Sequence, residues 1–175
     1  MLQTKIKQTL RDVIDFPKPG IVFKDITPVL KDASLCAEIT EALALQLKDV
    51  KIDVVAGIES RGFLFGLALA QALKVPFVPI RKVGKLPYKT IQQSYELEYG
   101  SATLEVHEDA FTPGQNVLIH DDLLATGGTV VAASKLVNQL QATVAAYSFL
   151  ISLDFLNGKQ KLDQFSQHTF SLVSY

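Results

Sequence analysis

Residues 117–129 read Val-Leu-Ile-His-Asp-Asp-Leu-Leu-Ala-Thr-Gly-Gly-Thr, and this stretch decides the fold class. The apolar run from Gln115 to His120 is typical of a buried strand, and we expect it to end at Asp121-Asp122. A loop of small residues follows, and Gly128 to Leu140 is then predicted to form a helix. A buried strand that leads through a short loop into a helix is the repeating unit of α/β folds.

The same alternation of strand and helix patterns extends in both directions along the chain. Two further helices are predicted at Ser34–Lys48, with Ser34 as the N-cap, and at Gly62–Leu73. Short strands are predicted at Asp53–Ile58, at Val75–Ile80, where Pro79 weakens the pattern, and at Thr143–Ser152, with a hairpin formed by Ser94–Tyr99 and Ala102–His107. The chain is therefore predicted to form an α/β fold with a mostly parallel, twisted sheet flanked by helices.

Size and composition limit the class of protein. The chain has 175 residues, 48% of them hydrophobic, which suits one domain that buries roughly 70% of the surface of its unfolded form. Its 17 basic and 18 acidic residues give a net charge of −1, which argues against a general nucleic-acid coat. One cysteine cannot form an internal disulfide. There is no apolar run of membrane-spanning or signal-peptide length, so we expect a cytoplasmic protein without membrane contact.

The segment that decides the fold also suggests a ligand. Carboxylates at the carboxyl edge of a parallel sheet lie where α/β proteins bind ligands, and the loop from Ala125 to Thr129 can turn backbone N–H groups toward a phosphate. Asp121 and Asp122 would then accept hydrogen bonds from two ribose hydroxyls, so a ribose 5-phosphate fits this layout. An Asp-Asp pair can also be a turn with a helix N-cap, but the combined order and spacing favour the ligand site. Neither a P-loop lysine nor a G-x-G-x-x-G motif is present.

The segment Asp121-Asp122 followed by Ala125-Thr126-Gly127-Gly128-Thr129 resembles the phosphoribosyl-pyrophosphate loop of the type I phosphoribosyltransferase family. Three further segments resemble its adenine phosphoribosyltransferase branch, namely Pro19–Pro28, Glu59–Phe63 and Tyr95–Gly100. The resemblance extends from Phe16 to Ser152. It implies a single domain with an N-terminal base-recognition hood (residues 1–33), a core (residues 34–152), a mobile hairpin or lid and a C-terminal extension (residues 153–175).

The resemblance implies transfer of the 5-phosphoribosyl group from phosphoribosyl pyrophosphate to adenine, giving AMP and pyrophosphate, as in purine salvage. It implies Mg²⁺ held mainly by substrate and water, with no protein ligand assigned. The residues expected to bind pyrophosphate are Glu59, Ser60, Arg61, Arg81, Lys82 and Lys85. Arg61 also has an expected catalytic role, because its planar guanidinium can hold a departing pyrophosphate through two hydrogen bonds. The basic loop (residues 81–89) contains four basic residues and no acid, which suits a lid that excludes water.

The resemblance also assigns the base site. Glu98 matches the glutamate proposed to handle a purine proton, and its expected role is catalytic. Adenine is expected to contact Val22, Phe23, Lys24 and Leu123, with Phe23 stacking on the base at roughly 1–3 kcal/mol. Backbone groups of Val22 and Lys24 would read the edge of the base.

Three positions depart from the family pattern. Lys24 stands where arginine is usual, Tyr88 replaces a glycine of the lid, and His120 replaces an apolar residue. Two alternatives stay open: the same transfer to another purine, such as guanine, hypoxanthine or xanthine, and a ligand-sensing regulator without the reaction. The chain lacks the DNA-binding extension or broad basic face that such a regulator needs, so no nucleic-acid partner is expected. The resemblance also implies a homodimer.

Overall fold

A seven-stranded sheet forms the centre of the protein in a computed structural model that describes residues 1–96 and 100–175. Its strands are β3 (Val54–Ile58), β4 (Phe77–Lys82), β5 (Thr90–Glu96), β6 (Ser101–His107), β7 (Asn116–Leu124), β8 (Thr143–Ser152) and β9 (Thr169–Ser174), in the spatial order β5-β6-β4-β3-β7-β8-β9. The strands from β4 to β9 along this order run parallel, and β6 and β5 are antiparallel additions. The predicted fold class, a mostly parallel sheet flanked by helices, is confirmed.

The helices cover both faces of the sheet. They are α1 (Leu2–Thr9), α2 (Thr27–Leu30), α3 (Ala33–Gln46), α4 (Gly62–Leu73), α5 (Gly128–Gln139) and α6 (Gly158–Leu162), with a 3₁₀ turn at Asp154–Leu156. Successive strand residues face opposite sides, so Val117 and Ile119 of β7 pack in the cluster with α5, whereas Leu118 packs in the cluster with α3 and α4. Burial on both faces explains why the central strands are almost continuously apolar.

A two-stranded hairpin lies outside the main sheet. Its strands are β1 (Arg11–Ile14) and β2 (Val22–Asp25), which pair antiparallel. This hairpin is the N-terminal hood, and β2 contains the residues predicted to contact adenine. Because β2 pairs with β1 on one edge, every second residue of β2 directs its backbone groups away from β1.

Pro79 lies within β4 despite its missing N–H group. Val55 and Glu59 donate their N–H groups to the carbonyls of Pro76 and Ile80, so the even-numbered residues of β4 face β3. Pro79 therefore faces the opposite edge, and pairing with β6 begins only at Arg81. A proline is tolerated at such a position because no ladder bond is lost.

Several element boundaries differ from the sequence prediction: β5 begins at Thr90 and not at Ser94, β4 begins and ends two residues later than predicted, and β7 and α3 differ as follows. The strand predicted to end at His120 continues through Asp121 and Asp122 to Leu124, because β8 pairs with it as far as Ser152. The N-cap of α3 is Asp32, not Ser34: the Asp32 carboxylate accepts the N–H of Leu35 at 2.9 Å. Ser34 lies inside the first turn of the helix.

The C-terminal extension supplies a strand that the sequence analysis did not predict. Strand β9 pairs in parallel with β8, and its Leu172 and Val173 join the core beside α3 and α4. In the part of the chain that the structure describes, no helix is both long and apolar enough to cross a membrane.

The corrected N-cap gives a paired test of stability. Asp32→Ala removes the hydrogen bond to the Leu35 N–H and should lower the free energy of unfolding by about 1 kcal/mol. Ser34→Ala makes the same kind of truncation two residues later and should leave that free energy almost unchanged. Urea denaturation of both variants measures the difference, and equal losses would contradict the assignment of Asp32 as the cap.

Candidate active site

The carboxyl ends of β3 and β7 border a cavity of about 290 Å³. It brings together eight of the predicted site residues, which are Glu59, Ser60, Arg61, Lys82, Asp121, Asp122, Leu123 and Thr129. Tyr95, Ala102 and Leu104 of the β5–β6 hairpin complete the wall. This is the edge at which open α/β sheets bind ligands.

Asp121 and Asp122 are held in an environment poor in water. Burial raises the pKa of Asp121 well above its ordinary value of 3.8, and the neighbouring charge of Asp122 adds to the rise. Burial also raises the pKa of Asp122, although the Arg61 guanidinium opposes that rise. Two adjacent carboxyl groups in such a place are strong hydrogen-bond acceptors for a ligand that brings its own donors.

Asp122 keeps an oxygen without a directed hydrogen bond. Its Oδ2 atom is buried and lies 3.0 Å from Nε of Arg61, but no donor of the described residues points at it in hydrogen-bond geometry. Asp121 uses its Oδ1 atom to accept the N–H of Asp122 at 2.9 Å. A buried acceptor without a directed donor favours a ligand hydroxyl at this point.

Helix α4 approaches the two aspartates closely because it begins with a glycine. A Cβ atom at Gly62 would lie 2.9 Å from Oδ1 of Asp121 and 2.9 Å from the carbonyl oxygen of His120. The preceding Arg61 therefore reaches Asp122 across a short gap. The peptide bond between Glu59 and Ser60 in this loop is cis.

Arg61 connects the cavity with the N-terminal hairpin. Its guanidinium carbon lies 4.7 Å from the centre of the Phe23 ring, which also contacts Phe16 edge to face at 5.2 Å. Val22, Phe23 and Lys24 do not line the cavity themselves. The side chain of Lys24 pairs with Asp12 at 2.6 Å and lies over the Tyr175 ring at 4.1 Å, so it is held away from the cavity.

Glu59 and Arg81 are paired with one another. Nε and one terminal nitrogen of Arg81 donate to the two carboxylate oxygens of Glu59 at 3.1 and 3.2 Å, and the Lys82 N–H donates to the same carboxylate at 2.9 Å. Burial alone would raise the pKa of Glu59, but these donors outweigh it and lower that pKa. Arg81 and Lys85 lie outside the cavity lining, whereas Lys82 is part of it.

The loop from Ala125 to Gly128 lies between β7 and α5, beside the cavity. Gly127 has a φ of +80°, and the Thr129 hydroxyl donates to the Tyr95 hydroxyl at 3.3 Å. Gly158, at the start of α6, packs directly behind this loop: a Cβ atom there would lie 2.1 Å from the Ala125 carbonyl oxygen and 3.0 Å from the Gly127 nitrogen. A second cavity of about 340 Å³ adjoins Gly158 on the side of β8 and β9.

Sequence reasoning missed Gly158 and Tyr95 as parts of the site. Tyr95 belongs to a segment that carries the family resemblance, and its position on the predicted hairpin was a usable signal. Gly158 gives no such signal because its contact joins residues about 30 positions apart. Glu98, the predicted catalytic glutamate, lies outside the described residues.

His120 lies beneath the site and is fully enclosed. Burial lowers its pKa to about 4, so the imidazole is neutral at pH 7. It occupies a position on β7 that faces α4, and its ring carbon would lie 3.5 Å from a Cβ atom at Gly66. His120, which replaces an apolar residue of the family pattern, therefore packs as a buried neutral side chain against α4.

Comparison with known proteins gives a consistent picture. Residues 26–161 match the family model of the phosphoribosyl transferase domain. An adenine phosphoribosyltransferase from Cytophaga hutchinsonii is 53% identical over 175 residues, which cover 100% of this chain and 97% of that relative.

Two solved structures resemble the fold over nearly the whole chain. The crystal structure of adenine phosphoribosyltransferase from Thermoanaerobacter pseudethanolicus has a TM-score of 0.96 and 51% identity, with 100% of both chains covered. The enzyme from Saccharomyces cerevisiae, complexed with D-2,5-dideoxy-2,5-imino-altritol 1,6-bisphosphate and adenine, has a TM-score of 0.92 and 43% identity, with 98% of each chain covered.

Gly158→Ala tests the support of the small-residue loop. The added methyl group must displace the Ala125 carbonyl or α6, so the affinity for ribose 5-phosphate should fall about 10-fold or more. Gly114→Ala is the control: its φ of +84° makes the substitution strained, but a Cβ atom there meets nothing within 4 Å and Gly114 does not line the cavity, so the affinity should keep its wild-type value. Calorimetric titration measures both affinities, and an unchanged value in Gly158→Ala would contradict the contact.

The substitution Asp121→Asn should change stability and ligand affinity in opposite directions. At a pH between 3.8 and the raised pKa, Asp121 is ionised in the unfolded chain but still protonated in the folded chain. The free energy of unfolding therefore falls as the pH rises through this window. The amide cannot ionise, so the variant should have a higher free energy of unfolding at pH 7 and a weaker affinity for ribose 5-phosphate. Exposed Asp109→Asn should change neither. A less stable Asp121→Asn would contradict the raised pKa.

Proposed function

The chain belongs to the adenine phosphoribosyltransferase family of the phosphoribosyl transferases, and we propose that the cavity at the carboxyl ends of β3 and β7 is where it performs that family's reaction. The enzyme transfers the 5-phosphoribosyl group from phosphoribosyl pyrophosphate to adenine and releases AMP and pyrophosphate. The observation that carries the proposal is the pair of adjacent carboxyl groups, with Asp122 buried and Asp121 half-buried, next to the small-residue loop at the start of α5.

The ribose lies between Asp121 and Asp122 in this proposal. The 2- and 3-hydroxyls of the sugar donate to the carboxylates, and the undirected Oδ2 atom of Asp122 is one acceptor. The 5-phosphate is held by backbone N–H groups of the loop from Ala125 to Gly128 and by Thr129, where the N-terminus of α5 adds positive potential. Because the sugar carbon gains positive charge as pyrophosphate leaves, two nearby carboxylates also stabilise the transition state.

The diphosphate lies near Ser60, Arg61 and Lys82. Arg61 faces Asp122 through Nε at 3.0 Å, and in this proposal its two terminal nitrogens bind diphosphate oxygens bidentately. Glu59 contributes through its backbone, since its carboxylate holds Arg81. Lys85 lies further along the basic loop, where it adds positive charge. These contacts favour departure of pyrophosphate because they neutralise the charge that develops on it.

Adenine lies between the hood and Leu123. Phe23 offers an aromatic face, and backbone groups on the free edge of β2 at Val22 and Lys24 read the edge of the base. The Lys24 side chain is occupied by Asp12, which supports recognition through the backbone at this position. Glu98 handles the purine proton as N9 bonds to the sugar.

Mg²⁺ suits this site. Asp121 and Asp122 supply carboxylate oxygens, the donors that Mg²⁺ prefers, but two residues cannot complete six-fold coordination. The diphosphate, the ribose hydroxyls and water therefore supply most ligands in this proposal. Bound Mg²⁺ would neutralise charge on the diphosphate.

We also expect a cytoplasmic homodimer. Leu64 and Leu67 lie one turn apart on the outer face of α4, and each is nearly half exposed. Such an apolar pair on an exposed helix face supports contact with a second copy.

A base-competition assay tests the function. With phosphoribosyl pyrophosphate, Mg²⁺ and equal amounts of adenine, hypoxanthine, guanine and xanthine, AMP should be the main nucleotide. Each mispaired group on an oxo-purine costs about 1–3 kcal/mol, or roughly 10- to 100-fold in rate. Asp122→Asn, purified in the same way, serves as the control for contaminating host enzyme. Undetectable AMP, or preferential formation of another nucleotide, would contradict the proposal.

A further inference from the structure

Glu105 is a buried carboxylate that the reaction does not use. It lies in the middle of β6, opposite Arg81 of β4 and Gln92 of β5, and it is only 2% exposed. It does not line the cavity, although its neighbour Leu104 does. Because burying a charge costs free energy, its presence in the sheet calls for a compensating set of contacts.

Among the described residues, the donors to the Glu105 carboxylate belong to the basic loop (residues 81–89) and the residue after it. Oε1 accepts the N–H groups of Lys85 and Leu86 at 2.9 Å each, and Oε2 accepts the Thr90 hydroxyl at 3.2 Å. Burial alone would raise the pKa of Glu105, but the backbone N–H groups of Leu86, Lys85 and Gly84 outweigh it and lower that pKa. The carboxylate is therefore ionised and tied to backbone, not to a cationic side chain.

Two residues further along β6, His107 provides a second contact for the same loop. Its ring packs edge to face against Tyr88, with the ring centres 6.0 Å apart. The Lys89 carbonyl also accepts the N–H of Glu108 at 3.0 Å. Tyr88 is the residue that replaces the glycine of the family pattern, so this chain has gained an aromatic contact there.

The other end of the loop is fixed by Glu59. That carboxylate holds the Arg81 side chain and the Lys82 N–H, and Arg81 in turn donates to the Lys85 carbonyl at 3.3 Å. Two carboxylates, Glu59 just after the end of β3 and Glu105 on β6, thus fix the backbone on both sides of the turn at Gly84. Lys82, which lines the cavity, lies between these anchors.

We propose that Glu105 is a positioning residue which, together with the ring of His107, docks the basic loop on β6 and so holds Lys82 and Lys85 in place for the diphosphate. The identity of the ligand rests on the proposed function, but the docking itself does not. Without the dock, the loop must be ordered each time substrate binds, and part of the binding free energy is lost.

The rate of tryptic cleavage after Lys85 measures directly whether the basic loop is docked on β6. The bond between Lys85 and Leu86 is protected because both of its flanking N–H groups donate to Glu105. In Glu105→Gln the charge is lost, and cleavage at this bond should become about 10- to 100-fold faster, as expected for hydrogen bonds to a charged group. Exposed Glu108→Gln removes the same charge three residues away and should keep the wild-type cleavage rate.

Kinetics supply the second measurement. The KM for phosphoribosyl pyrophosphate should rise about 10-fold in Glu105→Gln, while the KM for adenine stays at the wild-type value. An unfolded fraction of the variant would lower the apparent kcat and leave both KM values unchanged, so a rise in the KM for phosphoribosyl pyrophosphate alone identifies positioning. Thr90→Val removes one hydrogen bond to Oε2 and should give the same pattern with about a threefold change.

Wild-type rates of cleavage and an unchanged KM in folded Glu105→Gln would overturn the proposal. If Glu105→Gln does not fold, as judged by circular dichroism, Thr90→Val decides it, and wild-type values there would overturn it equally. Failure of the wild-type protein to form AMP would remove the proposed function but leave the cleavage measurement valid, so the two failures are distinguishable.

Discussion

Asp121 and Asp122 lie on β7, an inner strand of the sheet, at a point where burial opposes their ionisation. Their position depends on the surrounding structure: β8 extends the ladder past them, Gly62 lets α4 approach, and Arg61 supplies the nearest positive charge. Burial of these carboxyl groups is unfavourable in the free protein, but it favours binding. A ligand that brings hydroxyl donors and a cation can satisfy the carboxyl oxygens that water does not reach. The site is thus prepared for its ligand at the expense of local stability.

Ion pairs between acidic and basic side chains fix the other charged residues in and around the site. Arg61 is matched by Asp122, Arg81 by Glu59 and Lys24 by Asp12. Glu105 differs because it accepts hydrogen bonds from backbone N–H groups. It therefore fixes the position of the loop backbone and does not pair with a cationic side chain. The net charge of −1 therefore averages over local ion pairs that hold these cationic side chains in defined positions in and around the cavity.

How well each element could be predicted depends on how far apart in the sequence the interacting residues are. Helix α4 and strand β8 have the predicted bounds because their apolar patterns are continuous and local. Strand β7 was predicted too short because charged residues usually end a buried run, and here the pairing with β8 overrides that tendency. Strand β9 was missed because its pairing with β8 joins distant parts of the chain. In the site, short motifs predicted most of the cavity lining, whereas Gly158 and Glu105 act through contacts that no local spacing reveals.

Gly158 packs so closely against the small-residue loop from Ala125 to Gly128 that a Cβ atom there would overlap the Ala125 carbonyl. A rearrangement of that loop on ligand binding must therefore be transmitted mechanically to α6. The cavity of about 340 Å³ on the other side of Gly158 can take up such a displacement, since its walls include Asn157, Gly158 and Lys159 as well as β8 and β9. With the 5-phosphate in this loop, as proposed, a spectroscopic label on the far side of α6 would report phosphate binding from outside the active site.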